Sequence, residues 1–376
     1  MKHIPADFFR QNLSADLSLL RELVEIESPS TEKAAVDKFG LRLAHELANL
    51  GGKIQMFPQK HTGDHILCRW GSGAGGILLL AHMDTVYNSG TLSGQPVYEA
   101  EGRLFGPGVL DMKGSIAMLL SVLRAFRERQ IWPGRPLTAL FTSDEETGSL
   151  TSRTLIEQEA QEAAVVFCLE PALANGGLKT ARKGTGLIDL RAKGVAAHAG
   201  VNHAQGRNAI EELAHHILAA QRQTDYVRGT TVNVGMVCGG TRTNVVPDEA
   251  HARVDFRVAA MEGYQQLKDW VQTLRPVLDG TELLASIHLN RPPMPRDETM
   301  ARTFDRARQI GQTVGLELAE GSTGGGSDAN FVAPLGIPVL DGLGLVGDGA
   351  HSEREYVWID SFAERASLLS ALLLSW

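Results

Sequence analysis

Cysteine is scarce in this sequence: 376 residues contain three, which are Cys68, Cys168 and Cys238. No two of them form a Cys-x-x-Cys pair. An odd and scattered set in a chain of this length argues against a disulfide framework and for a reducing compartment. We predict that all three are small apolar side chains of the core.

Long apolar runs and any excess of positive charge are also missing. The longest apolar runs, at residues 76–81 and 371–374, are far too short to span a bilayer. The formal net charge is -8 and no Lys/Arg-rich run occurs, which makes nucleic acid and anionic membranes poor candidates for partners. The first residues, Met-Lys-His-Ile-Pro, lack the uninterrupted apolar stretch of a signal peptide, and we expect a cytoplasmic protein.

What is present fits a globular chain of two domains. The hydrophobic fraction is 43% and the charged fraction 21%, as in proteins that bury a real core. After helix-period residues over 6–50, apolar patterns predict an alternation of strands and helices. The strands are predicted at 53–57, 65–70, 76–81, 137–142 and 164–169, and the helices at 112–129 and 150–158. This alternation favours an α/β layer with parallel pairing, whose site residues lie at strand ends.

The pattern changes near residues 182–184. From 186 to 289 the predicted order is strand, helix, strand, strand, helix, strand, which resembles a split β-α-β unit of about a hundred residues. Because this unit lies inside the chain, we predict an inserted domain at 183–292. Residues 1–182 and 293–376 form the other domain, which ends in a helix at 359–374.

His82 and Asp84 are two positions apart at the end of a predicted buried strand. Side chains two apart on a strand share a face. Asp84 can therefore accept the second ring N–H of His82 and leave the other nitrogen for a metal. A satisfied structural histidine is the alternative interpretation.

Asp111 follows a glycine-rich turn at 106–108 and directly precedes a predicted helix. The alternative to a ligand is a simple helix N-cap. A phosphate-binding loop is disfavoured because Lys113 precedes Gly114, and the Gly-Lys-Ser/Thr order is missing.

Three adjacent acids, Asp144, Glu145 and Glu146, follow the strand predicted at 137–142. Such a cluster is unfavourable at a strand end unless it is solvated or bound to a cation. Two consecutive carboxylates point in different directions, so one can bind a metal while the other reaches an attacking water. A solvated turn is the alternative.

Glu170 stands at the end of another apolar strand, and His351 lies in a glycine-rich loop far downstream. Together these positions supply two histidines and several carboxylates, mostly at strand ends of one layer. Nitrogen and oxygen ligands without thiolates suit Zn²⁺ in a hydrolytic site. A carboxylate shared by two ions would generate a bridging hydroxide at neutral pH.

The combined motifs resemble the di-zinc aminoacylase/carboxypeptidase superfamily, and most of all its glutamate carboxypeptidase branch. The resemblance extends from His82 to the C-terminus. The matching motifs are His-Met-Asp-Thr (82–85), Gly-Pro-Gly and Asp-Met-Lys-Gly (within 106–114), Asp-Glu-Glu and Gly-Ser (within 144–149), Leu-Glu-Pro (169–171), His-Ala-Gly (198–200), Thr-Asn-Val-Val-Pro (243–247), Thr-Gly-Gly-Gly-Ser-Asp (323–328) and His-Ser-Glu (351–353).

The resemblance implies a metal centre of two Zn²⁺ ions, with Co²⁺ or Mn²⁺ as possible substitutes. His82 and Glu170 would bind one ion, and Glu146 and His351 the other. Asp111 would bridge the two ions.

The resemblance also implies roles around the metals. Asp84 would orient His82, and Glu145 would act as general base and then as general acid. A cis peptide bond is expected after Asp111.

The implied fold is α/β: a di-zinc exopeptidase-type catalytic domain, mainly a parallel sheet flanked by helices, with an inserted ferredoxin-like α+β lid and dimerisation domain at 183–292. A homodimer is therefore expected. His198 would cross to the neighbouring active site and stabilise the developing oxyanion. Asn244 and Arg257 would bind the substrate carboxylate or the oxyanion.

Further substrate contacts are implied near the end of the inserted domain. Arg291 would hold the substrate's α-carboxylate, a task for which a guanidinium fork suits better than lysine. Asn290 stands where relatives have glycine. Thr323 and Gly325 belong to a glycine-rich motif whose backbone N–H groups could approach substrate closely.

The predicted activity is hydrolysis of the amide bond of an N-acyl amino acid or peptide with a C-terminal acidic, glutamate-like residue, through a metal-bridging hydroxide with Glu145 as base. The main alternative is an N-acetyl or N-succinyl amino acid deacylase, of the acetylornithine deacetylase or succinyl-diaminopimelate desuccinylase type. The metal ligands cannot separate these two. A non-catalytic binding protein on the same fold is the third interpretation, since function depends on the site and not on the fold.

Overall fold

A computed structural model describes residues 3–376 of the chain. The chain divides into two compact units. The first contains the residues up to Ala181, with Arg296–Ser322 and Ser327–Trp376. The second contains Arg182–Pro295 and Thr323–Gly326, so the segment predicted as an insertion lies within it.

The helices and strands are numbered here in chain order. The helices are α1 (Ala6–Glu25), α2 (Lys33–Asn49), α3 (Gly114–Arg129), α4 (Arg153–Gln161), α5 (Ala209–Gln221), α6 (Met261–Thr273), α7 (Glu298–Gln312), α8 (Ala329–Val332) and α9 (Ser361–Ser375). The strands are β1 (Lys53–Phe57), β2 (His65–Trp70), β3 (Gly76–His82), β4 (Tyr98–Ala100), β5 (Arg103–Phe105), β6 (Leu137–Thr142), β7 (Ala163–Cys168), β8 (Leu178–Arg182), β9 (Gly184–Lys193), β10 (Ala197–His198), β11 (Thr231–Gly239), β12 (Val245–Val246), β13 (Glu249–Val258), β14 (Glu282–Arg291), β15 (Glu320–Thr323), β16 (Val339–Leu340), β17 (Gly347–Asp348) and β18 (Tyr356–Trp358).

The first unit is built on a six-stranded sheet in the order β1-β2-β6-β3-β7-β16. Strands β6, β3, β7 and β16 pair in parallel, whereas β1 and β2 are joined antiparallel at one edge. Strand β3 is buried from Ile77 to His82, which is expected where helices cover both faces of a parallel sheet. Helix α9 is buried on nearly all sides and packs against α1, α3 and α7. The predicted mixed α/β fold with a mainly parallel sheet is confirmed.

Two helices of the first unit begin later than their apolar periods predict. Helix α3 begins at Gly114 because Asp111 and Met112 adopt non-helical backbone angles. The peptide bond between these two residues is cis, as expected. Helix α4 begins at Arg153, because Asp144 accepts a hydrogen bond from the backbone N–H of Thr151 and holds the preceding turn outside the helix.

A second sheet of the first unit, in the order β17-β18-β5-β4, was not predicted. Its strands have two or three residues each, too few for a period-two pattern to be recognised. Strands β17 and β18 form a hairpin, and β18 pairs with β5. The hairpin carries His351 and β5 leads towards Asp111, so this sheet positions two predicted ligands.

The second unit is an antiparallel sheet in the order β11-β13-β9-β14, packed with α5 and α6. Every second residue of β13 is buried, among them Val254 and Phe256, which gives the sheet one apolar face. This arrangement confirms the predicted α+β layer. Strand β11 lies at an edge of the sheet, and Cys238 near its end is exposed. The prediction that all three cysteines are core residues is therefore wrong for Cys238 and right for Cys68 and Cys168, which are buried.

Among residues 3–376, the helices lack the combination of length and apolar character that a bilayer-spanning segment requires.

Candidate metal centre

Parallel strands of the first unit deliver a histidine and several carboxylates to the same edge of the sheet. His82 is the last residue of β3 and is paired with Thr142, the last residue of β6. Glu146 follows β6 after a short turn, and Glu170 follows β7, which also runs parallel to β3. The carboxyl ends of parallel strands meet at one edge, and these side chains therefore converge.

The Asp111 carboxylate lies between two histidines. Its Oδ1 is 3.0 Å from Nε2 of His82, and its Oδ2 is 3.4 Å from Nε2 of His351. Nε2 of His82 is also 3.6 Å from Oε1 of Glu170, and Nε2 of His351 is 3.2 Å from Oε2 of Glu146. The predicted ligands thus form two groups that share Asp111.

This donor set fits divalent metal ions. The Oε1 atom of Glu146 is buried and has no hydrogen-bond partner among the described residues, an unfavourable state unless a cation or water faces it. Ligand atoms of His82, Asp111 and Glu146 lie within 4.8 Å of one another, close enough for a shared ion. Imidazole nitrogens and carboxylate oxygens without thiolates are suited to zinc, and also to cobalt or manganese.

The histidines and carboxylates of the site shift one another's pKa values. Burial lowers the pKa of His82, but the hydrogen bond to Asp111 and the nearby negative charge of Asp84 outweigh it and hold this pKa well above its usual range. Hydrogen bonds to Asp111 and Glu146 raise the pKa of His351 to about 10. Burial raises the pKa of Asp111, but hydrogen bonds from both histidines prevail and hold it well below the usual range. Without a metal, protons on the two histidines therefore neutralise Asp111, whereas burial raises the pKa of Glu146 to about 8, so that this carboxyl group holds a proton of its own near neutral pH. A divalent cation would take the place of these protons.

Asp84 connects His82 to the turn that follows β6. The Asp84 carboxylate is fully buried and accepts hydrogen bonds from the backbone N–H groups of Glu145 at 3.3 Å and Glu146 at 3.2 Å, and from Oγ of Ser30 at 2.7 Å. Nδ1 of His82 is nearer to the backbone oxygen of Asp84, at 2.9 Å, than to its carboxylate, at 3.6 Å. Asp84 therefore contacts the imidazole mainly through its backbone, a detail that the His-x-Asp spacing did not indicate.

The three adjacent acids have different environments. Asp144 turns into the fold, where its carboxylate accepts hydrogen bonds from Thr151 and Ser152. The Glu146 carboxylate lies with the other predicted ligands, 3.2 Å from Nε2 of His351. Glu145 is half-buried. Burial is the main cause of the raised pKa of Glu146, and hydrogen bonding to Asp111 is the main cause of the raised pKa of His82. The charge of Glu145 adds a smaller contribution to both, so Glu145 lies near both residues.

Glu355 was missed from the sequence. It is buried, and its carboxylate accepts hydrogen bonds from the backbone N–H groups of Gly108, Leu110 and Asp111. Burial raises the pKa of Glu355, although these hydrogen bonds oppose the shift. The one available signal was a second carboxylate four residues after His351.

In the second unit, the structure brings His198 and Asn244 together. His198 on β10 is paired with Val245 on β12, and the N–H of Ala199 donates to the backbone oxygen of Asn244 at 3.0 Å. Nδ1 of the exposed His198 ring accepts hydrogen bonds from the N–H groups of Gly200 and Val201, both at 3.1 Å. An accepting Nδ1 leaves the proton of a neutral imidazole on Nε2, which is then a donor.

Arg257 lies on β13 and is already engaged. Its Nε and one terminal nitrogen each donate to an oxygen of Asp255 at 2.9 Å. This fork is the geometry that a substrate carboxylate would need. Asp255 would therefore compete with a substrate for Arg257.

Arg291, at the end of β14, is buried beside the glycine-rich loop at 323–326. A Cβ on Gly326 would lie 2.8 Å from Cδ of Arg291, so the close approach of the loop depends on glycine. Arg182, which is also buried and was not predicted as a site residue, donates to the backbone oxygens of Gly325 at 3.2 Å and Gly326 at 3.0 Å. The backbone oxygen of Thr323 accepts from the N–H of Lys183 at 3.2 Å.

The sequence has counterparts among known proteins. Residues 78–375 match the sequence profile of Peptidase family M20/M25/M40. The chain belongs to this family. Membership in Peptidase family M20/M25/M40 makes it a hydrolase of peptide or amide bonds and confirms the resemblance found in the motifs.

The curated relatives differ in the activities that their names state. Carboxypeptidase G2 of Pseudomonas sp. is 31% identical over 373 residues, which cover 96% of this chain and 89% of the relative. Succinyl-diaminopimelate desuccinylase of Pseudoalteromonas atlantica is 28% identical over 375 residues, which cover 95% of this chain and 97% of the relative. The family therefore does not by itself select a substrate.

The fold is also shared with solved structures. Aminopeptidase PepT from Bacillus cereus superposes with a TM-score of 0.76 at 22% identity, covering 96% of this chain and 98% of that chain. At this identity the similarity concerns the fold.

Proposed function

We propose that this chain hydrolyses the amide bond between an acyl group and a C-terminal acidic amino acid, using two divalent metal ions. The observation that carries the proposal is the Asp111 carboxylate, whose two oxygens face two different histidines at 3.0 and 3.4 Å. Zinc is the proposed metal. His82 and Glu170 would hold one ion, and Glu146 and His351 the other.

When bound, such ions polarise a carbonyl group and lower the pKa of an attacking water. Glu145 is proposed to take the proton of that water and later give it to the leaving amine. Its position supports this role, because its backbone N–H is fixed by Asp84 while its side chain shares the electrostatic environment of the ligands. The turn that carries Glu145 is therefore fixed before substrate arrives.

We further propose that residues 183–292 form a lid and dimerisation domain, and that His198 stabilises the oxyanion in the partner's site. The proton on Nε2 of His198, which follows from its accepting Nδ1, supports a donor role. The open edge of β11, with the exposed side chains of Met236 and Val237, supports a second copy as the partner. Three free cysteines agree with a cytoplasmic location.

For the substrate's carboxylates, the proposed contacts are Arg291, Thr323, Gly325, Asn244 and Arg257. The buried Arg291 and the adjacent glycine loop support binding of an anion by a guanidinium fork and by backbone N–H groups. Asp255 occupies the fork of Arg257, so a substrate carboxylate would have to displace Asp255 to bind there.

The similarity to carboxypeptidase G2 favours release of a C-terminal amino acid. A second candidate is removal of a small acyl group, such as succinyl or acetyl, from an amino acid. The similarity to a succinyl-diaminopimelate desuccinylase supports it. Both reactions use the same metal ligands and the same base, so only substrate recognition separates them.

The test is amino acid release by zinc-reconstituted protein from a panel of acyl-amino acids. The panel contains N-acyl-glutamates, aminobenzoyl-glutamate, dipeptides with C-terminal glutamate or alanine, N-acetylornithine and N-succinyl-diaminopimelate. Glu145→Gln is measured alongside, with Glu162→Gln, an exposed glutamate on the same unit, as the matched control.

We expect glutamate release by the wild type and by Glu162→Gln, and a loss of about 10²–10⁴-fold in kcat for Glu145→Gln. Turnover confined to the acetylated and succinylated substrates would replace the first candidate with the second. Undiminished turnover by Glu145→Gln would contradict the base assignment, and no turnover of any substrate by metal-loaded protein would contradict both candidates.

A further inference from the structure

The carboxylate of Glu355 is enclosed by hydrogen-bond donors. The residue is 2% exposed. Its Oε1 accepts from the N–H groups of Leu110 at 2.8 Å and Asp111 at 2.9 Å, and its Oε2 accepts from Gly108 N–H at 3.0 Å and the Tyr87 hydroxyl at 2.5 Å. These are charge-assisted hydrogen bonds, which are stronger and more directional than neutral ones.

The backbone of Glu355 ties the same loop to the hairpin of β17 and β18. Its N–H donates to the backbone oxygen of Ser352 at 3.2 Å, and its own carbonyl accepts from the N–H of Gly106 at 3.2 Å. The Tyr87 hydroxyl lies 2.9 Å from the backbone oxygen of Ser352. Glu355 therefore connects the turn that bears His351 to the loop that bears Asp111.

The donors around position 355 require a side chain with two hydrogen-bond acceptor atoms. Both oxygens of a carboxylate accept, whereas the amide of glutamine presents one acceptor and one donor group. A glutamine at 355 would point its NH₂ at backbone N–H groups on one side. The loop packs closely against Thr85, because Gly108 has a φ of 72° and a Cβ there would lie 2.7 Å from Cγ2 of Thr85.

We propose that Glu355 is a positioning residue of the dinuclear centre, which fixes the bridging ligand Asp111 relative to His351 without touching metal or substrate. The inference rests on the proposed metal centre. Partners that orient ligands in this way typically change metal affinity or activity by about 10–100-fold when mutated.

The experiment is a metal titration of metal-free Glu355→Gln against a chromophoric zinc chelator, with Glu364→Gln, an exposed glutamate of the first unit, as the control. We expect wild-type protein and the control to bind two equivalents, and Glu355→Gln to bind at least one of them about 10–100-fold more weakly. Excess zinc should then restore kcat while KM stays unchanged. A residue that only stabilises the fold would lower the unfolding temperature but leave the affinity of the folded protein unaltered.

A second pair of variants covers the case in which Glu355→Gln does not fold. Tyr87→Phe removes one donor from the carboxylate and should weaken binding by about threefold, whereas Tyr98→Phe, at an exposed ring on β4, should not change it. Wild-type affinity for both equivalents in Glu355→Gln, or in Tyr87→Phe where the former is insoluble, would overturn the inference.

The titration contains no substrate, so it separates this inference from the proposed activity. A wild-type protein that binds two equivalents but releases no amino acid would contradict the activity alone. A wild-type protein that binds no metal would contradict the metal centre, and with it the role of Glu355.

Discussion

The backbone N–H of Glu145 donates a hydrogen bond of 3.3 Å to Oδ1 of Asp84. The same buried carboxylate accepts from the N–H of Glu146, and the Asp84 backbone oxygen lies 2.9 Å from Nδ1 of His82. The Asp84 side chain thus fixes the turn that carries the proposed base Glu145 and the predicted ligand Glu146. The Asp84 backbone contacts a second predicted ligand, His82. The order in which these residues appear along the chain does not reveal this link.

Replacing Asp84 with asparagine should therefore weaken the metal centre as a whole. The amide NH₂ would oppose one of the two backbone N–H donors of Glu145 and Glu146, and would remove the negative charge beside His82. We expect a fall of about 10–100-fold in metal affinity or in kcat at saturating metal. Steady-state kinetics and chelator competition measure the two. Asp360→Asn, an exposed residue before α9, is the control, and an Asp84→Asn enzyme that matches it in both measurements would contradict this role.

The pKa of His351 predicts a pH dependence of stability in the metal-free protein. Because Asp111 and Glu146 raise this pKa from 6.5 to about 10, the folded state holds a proton that the unfolded state releases. The contribution is complete below pH 6.5 and is lost as the pH rises towards 10. In EDTA, the difference in unfolding free energy between wild type and His351→Gln should therefore shrink over this range.

The comparison with His351→Gln removes the contributions of groups outside the cluster, because these groups titrate alike in both proteins. Burial lowers the pKa of Lys113 to about 7, and this group contributes a slope of the opposite sign that cancels in the difference. Urea unfolding at several pH values measures the two free energies. A difference that is constant or grows from pH 6.5 to 10 would contradict the assigned environment of His351.

Adding a methyl group at Gly326 should displace Arg291. The new Cβ would lie 2.8 Å from Cδ of Arg291 and 3.1 Å from Cγ2 of Thr185. If Arg291 holds the substrate carboxylate, Gly326→Ala should raise KM by about tenfold, near 1.4 kcal/mol, with a smaller change in kcat. Steady-state kinetics on the best substrate provides the measurement. Gly134→Ala, where a Cβ meets no atom within 4 Å, is the control. Equal KM values for the two variants would contradict the proposal that Arg291 binds the substrate carboxylate.

Much of the fold could be predicted because its signals are local. Continuous apolar runs indicated the buried strands β3, β6 and β7, and helical periods indicated α3 and α4, with starts that were displaced by two and three residues. The missed sheet of β17, β18, β5 and β4 consists of strands too short to have a period. The exposure of Cys238 could not be predicted, because it depends on β11 lying at an edge of its sheet.

The sequence by itself determined the chemical types of the predicted metal ligands, their order and their places after apolar strands, and through these motifs the family. Only the tertiary structure decided which atoms meet. Glu355 and Asp111 are separated by 244 residues, yet Oε1 of Glu355 accepts a hydrogen bond of 2.9 Å from the backbone N–H of Asp111. Arg182 likewise binds the backbone of Gly326 across 144 residues. A backbone N–H or C=O is the same at every position of a chain, so contacts made to the backbone leave no residue pattern, and the packing of the sheets alone specifies them.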